Sequence, residues 1–260
     1  MTMNLRIEPE NLHQEQEQQQ AEELHASSEA VGRNAWKYAS KAARHMSKHS
    51  KIVKPAMERL IPRFVFEELK IGKLLGSGGF NHVYEVTSVT LLEEPYMHEC
   101  AAKICSENQT ALRTTASQRA DESRFAIKFL SQETMNDPDR FYTGAADLAI
   151  EAKFLANLKH PNIIQLRGMS AAGTNGFASC QNTGFFLVLD ALQCTLEDRL
   201  EEWSLSEEMK STQTSRKLFG RGSSKRIAGV LADRLDVAAC VASALEYLHE
   251  QNIICTFLCL

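Results

Sequence analysis

Nowhere in its 260 residues does the chain hold an apolar run approaching the roughly twenty needed to cross a bilayer. Met1 to Gln20 also lacks the apolar core of a secretory signal. The expectation is therefore an intracellular, most simply cytoplasmic protein that is not transmembrane. Paired cysteines are missing too. The seven cysteines are odd in number and scattered, with no Cys-x-x-Cys, which excludes a disulfide framework and reads as reduced thiols. Cys255 and Cys259 are too few for a metal site, and Phe257, fourth from the end, rules out a prenylation signal. A strong charge excess is lacking as well. The net charge of -4 identifies no partner, and no DNA partner is expected.

What is present begins with Gly76-Ser77-Gly78-Gly79-Phe80-Asn81-His82-Val83, a glycine-rich turn between two strand-like runs, Leu69 to Leu75 and His82 to Val89. Gly76 and Gly78 fall where a chain reversing over a phosphate needs backbone without a Cβ, so that N–H groups can approach the anion. A dinucleotide fold would place a helix after the glycines, and here a strand follows. Asn81 stands at the third glycine place, and Asn is among the few residues that tolerate a left-handed backbone. A hairpin turn with no ligand has the same local pattern.

Phe125-Ala126-Ile127-Lys128-Phe129-Leu130 is a short apolar run with one lysine in its middle. A charge within a buried strand is costly unless paired. Leu148, Glu151, Leu155 and Leu158 follow at helical spacing, which puts Glu151 inside an apolar stripe. An acid that turns inward wants a cation, and Lys128 is the candidate. The plainer alternative is a lysine that snorkels to water beside a glutamate at the edge of the stripe.

The order glycine-rich hairpin, Phe-Ala-Ile-Lys, then Glu151-Ala-Lys-Phe-Leu-Ala-Asn-Leu-Lys-His-Pro-Asn-Ile-Ile-Gln-Leu166 resembles the N-terminal lobe of a eukaryotic protein kinase. Phe185 to Asp190 is similar to the fifth strand running into the hinge. The resemblance implies an α+β, protein-kinase-like fold: a five-stranded antiparallel sheet with one packed helix, then a truncated helical lobe. It implies ATP as cofactor, bound by Gly76, Ser77, Gly78 and Gly79, with Val83 and Ala126 over the adenine. Lys128 would lie on the α- and β-phosphates, anchored by Glu151. Leu189 would be the gatekeeper, Asp190 to Leu192 the hinge, and Leu155 and Leu166 two positions of a hydrophobic spine. The implied activity is transfer of the γ-phosphoryl group to serine or threonine hydroxyls of a protein substrate. Ala101-Ala102-Lys103-Ile104 offers a competing lysine, but Lys128 lies nearer Glu151. This choice makes Leu91 to Arg124 an inserted, polar surface segment.

The resemblance lapses after Ile254. Cys255-Thr256-Phe257-Leu258 stands where the family has His-Arg-Asp-Leu or Tyr-Arg-Asp-Leu, so Phe257 occupies the place of the catalytic aspartate. The loop asparagine and Asp-Phe-Gly aspartate that hold Mg2+ in a complete member do not follow. The chain as it stands is therefore expected not to catalyse transfer, with no catalytic residue present. The alternative function is a catalytically dead nucleotide- or partner-binding module.

Three regions are expected. The first, 1–62, is a tail that begins Gln/Glu-rich and ends basic; the second, 63–192, is the kinase upper lobe. The third, 193–260, is an incomplete lower lobe with a flexible basic insertion at about 203–227. Leu235 to Asn252 has helical spacing and would leave an apolar stripe exposed. Within 30–57, a helix would gather Lys37, Lys41, Arg44, Lys48 and Lys51 on one face and Trp36, Ala39, Ala43, Met46 and Val53 on the other. Such a helix suits an anionic membrane surface, a helix-binding protein partner or RNA, or else packs loosely on its own lobe or stays disordered. For the chain as a whole the expected partner is a protein substrate or scaffold.

Overall fold

The structure, a computed structural model, describes residues 9–92, 107–122, 124–214 and 223–254. It is a mixed α+β chain that divides into two compact units. One comprises the residues up to Asn157 together with Leu166–Asp190, and the other Leu158–Gln165 with the residues from Ala191 on.

The first unit is built on a six-stranded mixed sheet. Its strands are β1 (Arg63–Phe64), β2 (Leu69–Ser77), β3 (Asn81–Val89), β4 (Phe125–Leu130), β5 (Leu166–Ser170) and β6 (Phe186–Asp190), in the order β1-β5-β6-β4-β3-β2. The resemblance implies five strands, all antiparallel. The additional strand, β1, pairs parallel to β5. Phe64 explains it: the ring is buried against Gly168, where a Cβ would come within 2.5 Å of Phe64 Cε2. Met169 and Ala171 then donate backbone N–H bonds to Pro62 and Phe64.

Alternation along the central strands gives the sheet two different faces. Phe125, Ile127 and Phe129 point to one side and form a cluster with Phe64, Phe186 and Val188. Phe66 and Tyr84 complete it through aromatic contacts with Phe129. Helix α3 (Glu107–Glu122) belongs to this side, since Ala116 joins the cluster. Part of the segment expected to be an inserted surface loop is therefore a docked helix. The reason is Glu68, which is 1% exposed and needs a cation; Arg113 of α3 supplies it. The carboxylate also accepts from the N–H groups of Val65 (3.0 Å) and Leu92 (2.9 Å).

The opposite face carries helix α5 (Pro138–Leu155). Asp137 caps it by accepting from the N–H groups of Asp139 and Arg140. Its buried face is mostly small, with Gly144, Ala145, Ala149 and Ala152 around Phe141 and Leu148. Gly144 lets the helix sit close to β4, since a Cβ there would lie 2.9 Å from Leu130 Cδ2 and push that methyl aside. The helix ends at Leu155, so Leu158 of the anticipated stripe lies beyond it. Ahead of it, the short helix α4 (Gln132–Met135) follows β4 and is capped by Ser131.

Helix α1 (Pro9–His49) runs along α5 and the 3-10 turn Gly173–Ser179. Its contact side is again small: Gly32, Ala35, Ala39, Ser40 and Ala43 are all buried. Tyr38 stacks on Tyr142 with 5.2 Å between centroids, and Ser40 hydrogen-bonds Thr174 at 3.0 Å. The apolar side expected to meet a membrane or helix-binding partner is thus already covered within the chain, with Ala39, Ala43 and Val53 buried. The basic residues Lys37, Lys41, Arg44, Lys48 and Lys51 remain exposed. A short helix α2 (Pro55–Glu58) leads into β1.

The second unit holds α6 (Leu196–Thr214) and α7 (Ser223–Glu250). The segment expected to be a flexible basic insertion is helical at both ends, leaving residues 215–222 outside the described part. Helix α6 opens with a reciprocal cap. Thr195 donates its N–H and hydroxyl to Asp198, whose own N–H returns to Thr195 Oγ1. Those bonds hold the Asp198 carboxyl below its ordinary range. Trp203 and Arg199 both donate to Asp233 of α7. His160 stacks on Tyr247 and accepts or donates at Ser243. Asn252, in the left-handed region at φ 58°, closes α7, with Ile253 N–H reaching Leu248 O. Among the described residues of α7 from 231 on, none is buried, and Leu231 and Leu235 are exposed.

Candidate functional site

Lys128 sits in the middle of β4, opposite Val83 of β3 and Leu187 of β6. Period-two alternation puts it on the α5 side with Ala126 and Leu130. Glu151, about four turns along α5 from its cap, faces the same surface. Lys128 Nζ donates to both carboxylate oxygens, at 2.8 Å and 2.7 Å. The pair is neither deeply buried nor free in water: the side chains are 22% and 32% exposed. A forked contact at that depth is well formed and still reachable by a ligand.

Two ladder rows surround it. Val83, Lys128 and Leu187 are directly opposite one another, as are Glu85, Ala126, Leu189 and Leu166. Val83, Ala126, Lys128 and Leu189 therefore share one face of the sheet, with Ala126 and Leu189 buried. Asp190 pairs opposite Phe125 and so belongs to the other face. There Arg167 grips its carboxylate, Nε at 2.6 Å and Nη2 at 3.1 Å. Only its backbone is left for the Lys128 side. Leu192 is 69% exposed. It belongs to the second unit, as does Ala191. Leu155 is half-buried and Leu166 buried.

Gly76, Ser77, Gly78 and Gly79 are all exposed and join β2 to β3, with Ser77 paired to His82. Gly78 N–H closes the turn on Asn81 O at 2.8 Å. No left-handed backbone occurs at this turn: Gly173 is the one glycine with positive φ among the described residues, and Asn81 is not among the non-glycine residues that have it. A Cβ at Gly76 or Gly79 would meet nothing within 4 Å, and at Gly78 only Asn81 O at 3.7 Å. Neither conformation nor packing within the chain asks for glycine at these three places.

Two contacts had no counterpart in the sequence pattern. Arg140, at the start of α5, donates to Gly79 O at 2.6 Å and lies over the Phe80 ring, tying the turn to the helix that carries Glu151. Arg167 fixes Asp190 from the neighbouring strand. Neither has a signal in spacing, because 61 and 23 residues separate the partners. Lys103 and the segment Cys255 to Leu260, with Phe257, lie outside the described residues. No group of three or more His, Cys, Asp or Glu that could hold a metal exists among the described residues, and no described helix is long and apolar enough to cross a membrane. No family model and no curated protein matches the chain.

Proposed function

We propose that the first unit is the upper lobe of a protein-kinase-like fold and that it binds the phosphates of ATP. The observation that carries the reading is the forked Lys128–Glu151 contact, held between the strand after the glycine hairpin and the long helix that follows that strand. A lysine fixed by a carboxylate keeps its charge in place and leaves one side of the ammonium for a phosphate oxygen. The glycine turn supports the same ligand. Three glycines whose Cβ positions are open to space suit close approach by a group that is not part of the chain. Val83, Ala126 and Leu189 would line the adenine, and the backbone of Asp190 at the end of β6 would pair with it. β1 is then an addition to the family's five strands.

The chemistry of transfer is not part of this reading. Phe257 stands at the place of the proton-accepting aspartate, and a phenyl ring neither orients a hydroxyl nor holds a cation. The reading is therefore a nucleotide-binding member of the kinase family, with phosphorylation of protein serine or threonine belonging to a form that carries the catalytic loop. Phe257 equally favours a second reading, a binding module without catalysis whose partner is a protein.

Equilibrium binding of a fluorescent ATP analogue tests the first reading. Lys128→Met is expected to weaken it by about tenfold or more, because charge-assisted hydrogen bonds to phosphate are lost. Equal affinity in the variant, or no binding by the parent chain, overturns the nucleotide reading and leaves the partner-binding one.

A further inference from the structure

A cavity of about 630 Å3 lies on the far side of α5 from Lys128, within the first unit, where α1, α2 and β1 meet the turn after β5. Four cations line it: Arg44 of α1, Arg59 just past α2, Arg63 of β1 and Lys153 of α5. One carboxylate, Glu58, opposes them. It is already shared, accepting from Lys153 and, at 3.2 Å, from Arg63. Among the described residues, Arg44 and Arg59 have no ion-pair partner, and both are exposed. The remaining polar lining consists of hydroxyls and amides, including Ser47, Thr174 and Asn175.

The apolar lining decides what kind of ligand fits. It is mostly alanine, with only Met169 and Phe185 larger. Drug-like and lipid-tail pockets are lined by large aliphatic and aromatic groups. This cavity has little of that to offer, so affinity must come from charge. Its volume accommodates a small molecule of several phosphate groups and is too confined for a folded partner.

We propose that this cavity is a binding site for a compact polyanion bearing clustered phosphate groups, held by Arg44 and Arg59 with Arg63 and Lys153 behind them. Such a ligand bridges the tail helix α1 to α5. Lys153 lies two residues from Glu151, so occupancy stiffens the helix that positions the Lys128 partner. The site does not depend on the nucleotide reading.

The test uses the full chain and inositol hexakisphosphate as probe, read by titration calorimetry and thermal shift at fixed ionic strength. Saturable binding with a raised melting temperature is expected. The double variant Arg44→Gln/Arg59→Gln should bind roughly tenfold more weakly or worse, since two charge-assisted contacts are removed. Both residues are exposed, and an unchanged melting temperature without probe confirms that the variant folds. Lys128→Met should bind the probe as the parent does. Loss in Lys128→Met with retention in the double variant places the anion at the glycine turn and overturns the proposal. So does equal binding by all three, or a shift reproduced by sulfate at the same ionic strength. A parallel arm with vesicles containing a phosphorylated inositol lipid identifies the source: capture of vesicles that depends on Arg44 and Arg59 means a headgroup, and binding of the soluble probe alone means a free metabolite.

Discussion

Two ion pairs sit on opposite sides of one sheet and differ in almost every respect. Glu68–Arg113 is sealed, with side chains 0% and 7% exposed, and the carboxylate also takes two backbone N–H groups. Lys128–Glu151 is forked and keeps 22% and 32% of its surface. A sealed pair is bound to the fold, because removing either partner strands a charge away from water. A half-open pair can give up one contact to a ligand and lose little stability. The contrast separates the charge that builds the molecule from the charge available to do something.

The largest effect should come from breaking the sealed pair. Glu68→Ala leaves Arg113 buried without its carboxylate and frees two backbone donors, and is expected to cost about 3–5 kcal/mol in urea unfolding. Glu151→Gln, on the other side, should cost no more than about 1 kcal/mol while weakening ATP-analogue binding. If the two substitutions destabilise equally, the distinction between the two pairs fails.

Next in size is the seam between α1 and the 3-10 turn. At Gly32 a Cβ would lie 2.5 Å from Cys180 Sγ and 2.8 Å from Ala178 O. Cys180 is itself constrained, with φ 54° and its thiol donating to Ser28 O. Gly32→Val should therefore cost about 1–3 kcal/mol by overpacking. Hydrogen exchange should rise along α1 and leave the aromatic side of the sheet protected.

A smaller effect concerns acid. Burial raises the Glu58 carboxyl, but Lys153 and then Arg63 outweigh it and hold the group below its ordinary value of 4.5. A lowered folded value means that the stabilisation is complete above about pH 4.5 and is lost as pH falls through the folded value. Glu58→Gln should flatten that part of the stability profile without changing its slope at neutral pH.

Local pattern made the strands and the Lys128–Glu151 pair legible. Phe125 to Leu130 reads as a strand because its apolar residues are continuous and β-rich, and β4 has those bounds. Glu151 reads as inward-facing because helical spacing alone places it there. What stayed hidden depends on contacts between distant segments. β1 is two residues long, and only its pairing with β5, about a hundred residues on, with Phe64 seated on Gly168, makes it a strand. α3 looks polar along its length, and what docks it are partners far off in sequence: Arg113 on Glu68, Gln109 on the backbone around β1, and Ala116 in the aromatic cluster. α1 reads as a surface helix because alanine is a weak apolar signal, yet alanine and glycine are what allow two helices to approach closely. The glycine turn is a different case, because no left-handed backbone occurs there. Glycine signals permission for unusual backbone, and here the permission is not used by the backbone.

Glycines whose backbone freedom goes unused give the most discriminating of the small effects. Gly76 lies within β2, opposite Val83, with ordinary φ and nothing within 4 Å of the place a Cβ would take. By backbone entropy alone, Gly76→Ala should stabilise the fold slightly, by about 0.4–1 kcal/mol in urea unfolding. If the glycines serve a phosphate, the same substitution weakens ATP-analogue binding, and stability and affinity move in opposite directions. If affinity is unchanged while stability rises, the turn is an ordinary hairpin, and the open pair on the α5 side loses its nearest supporting feature.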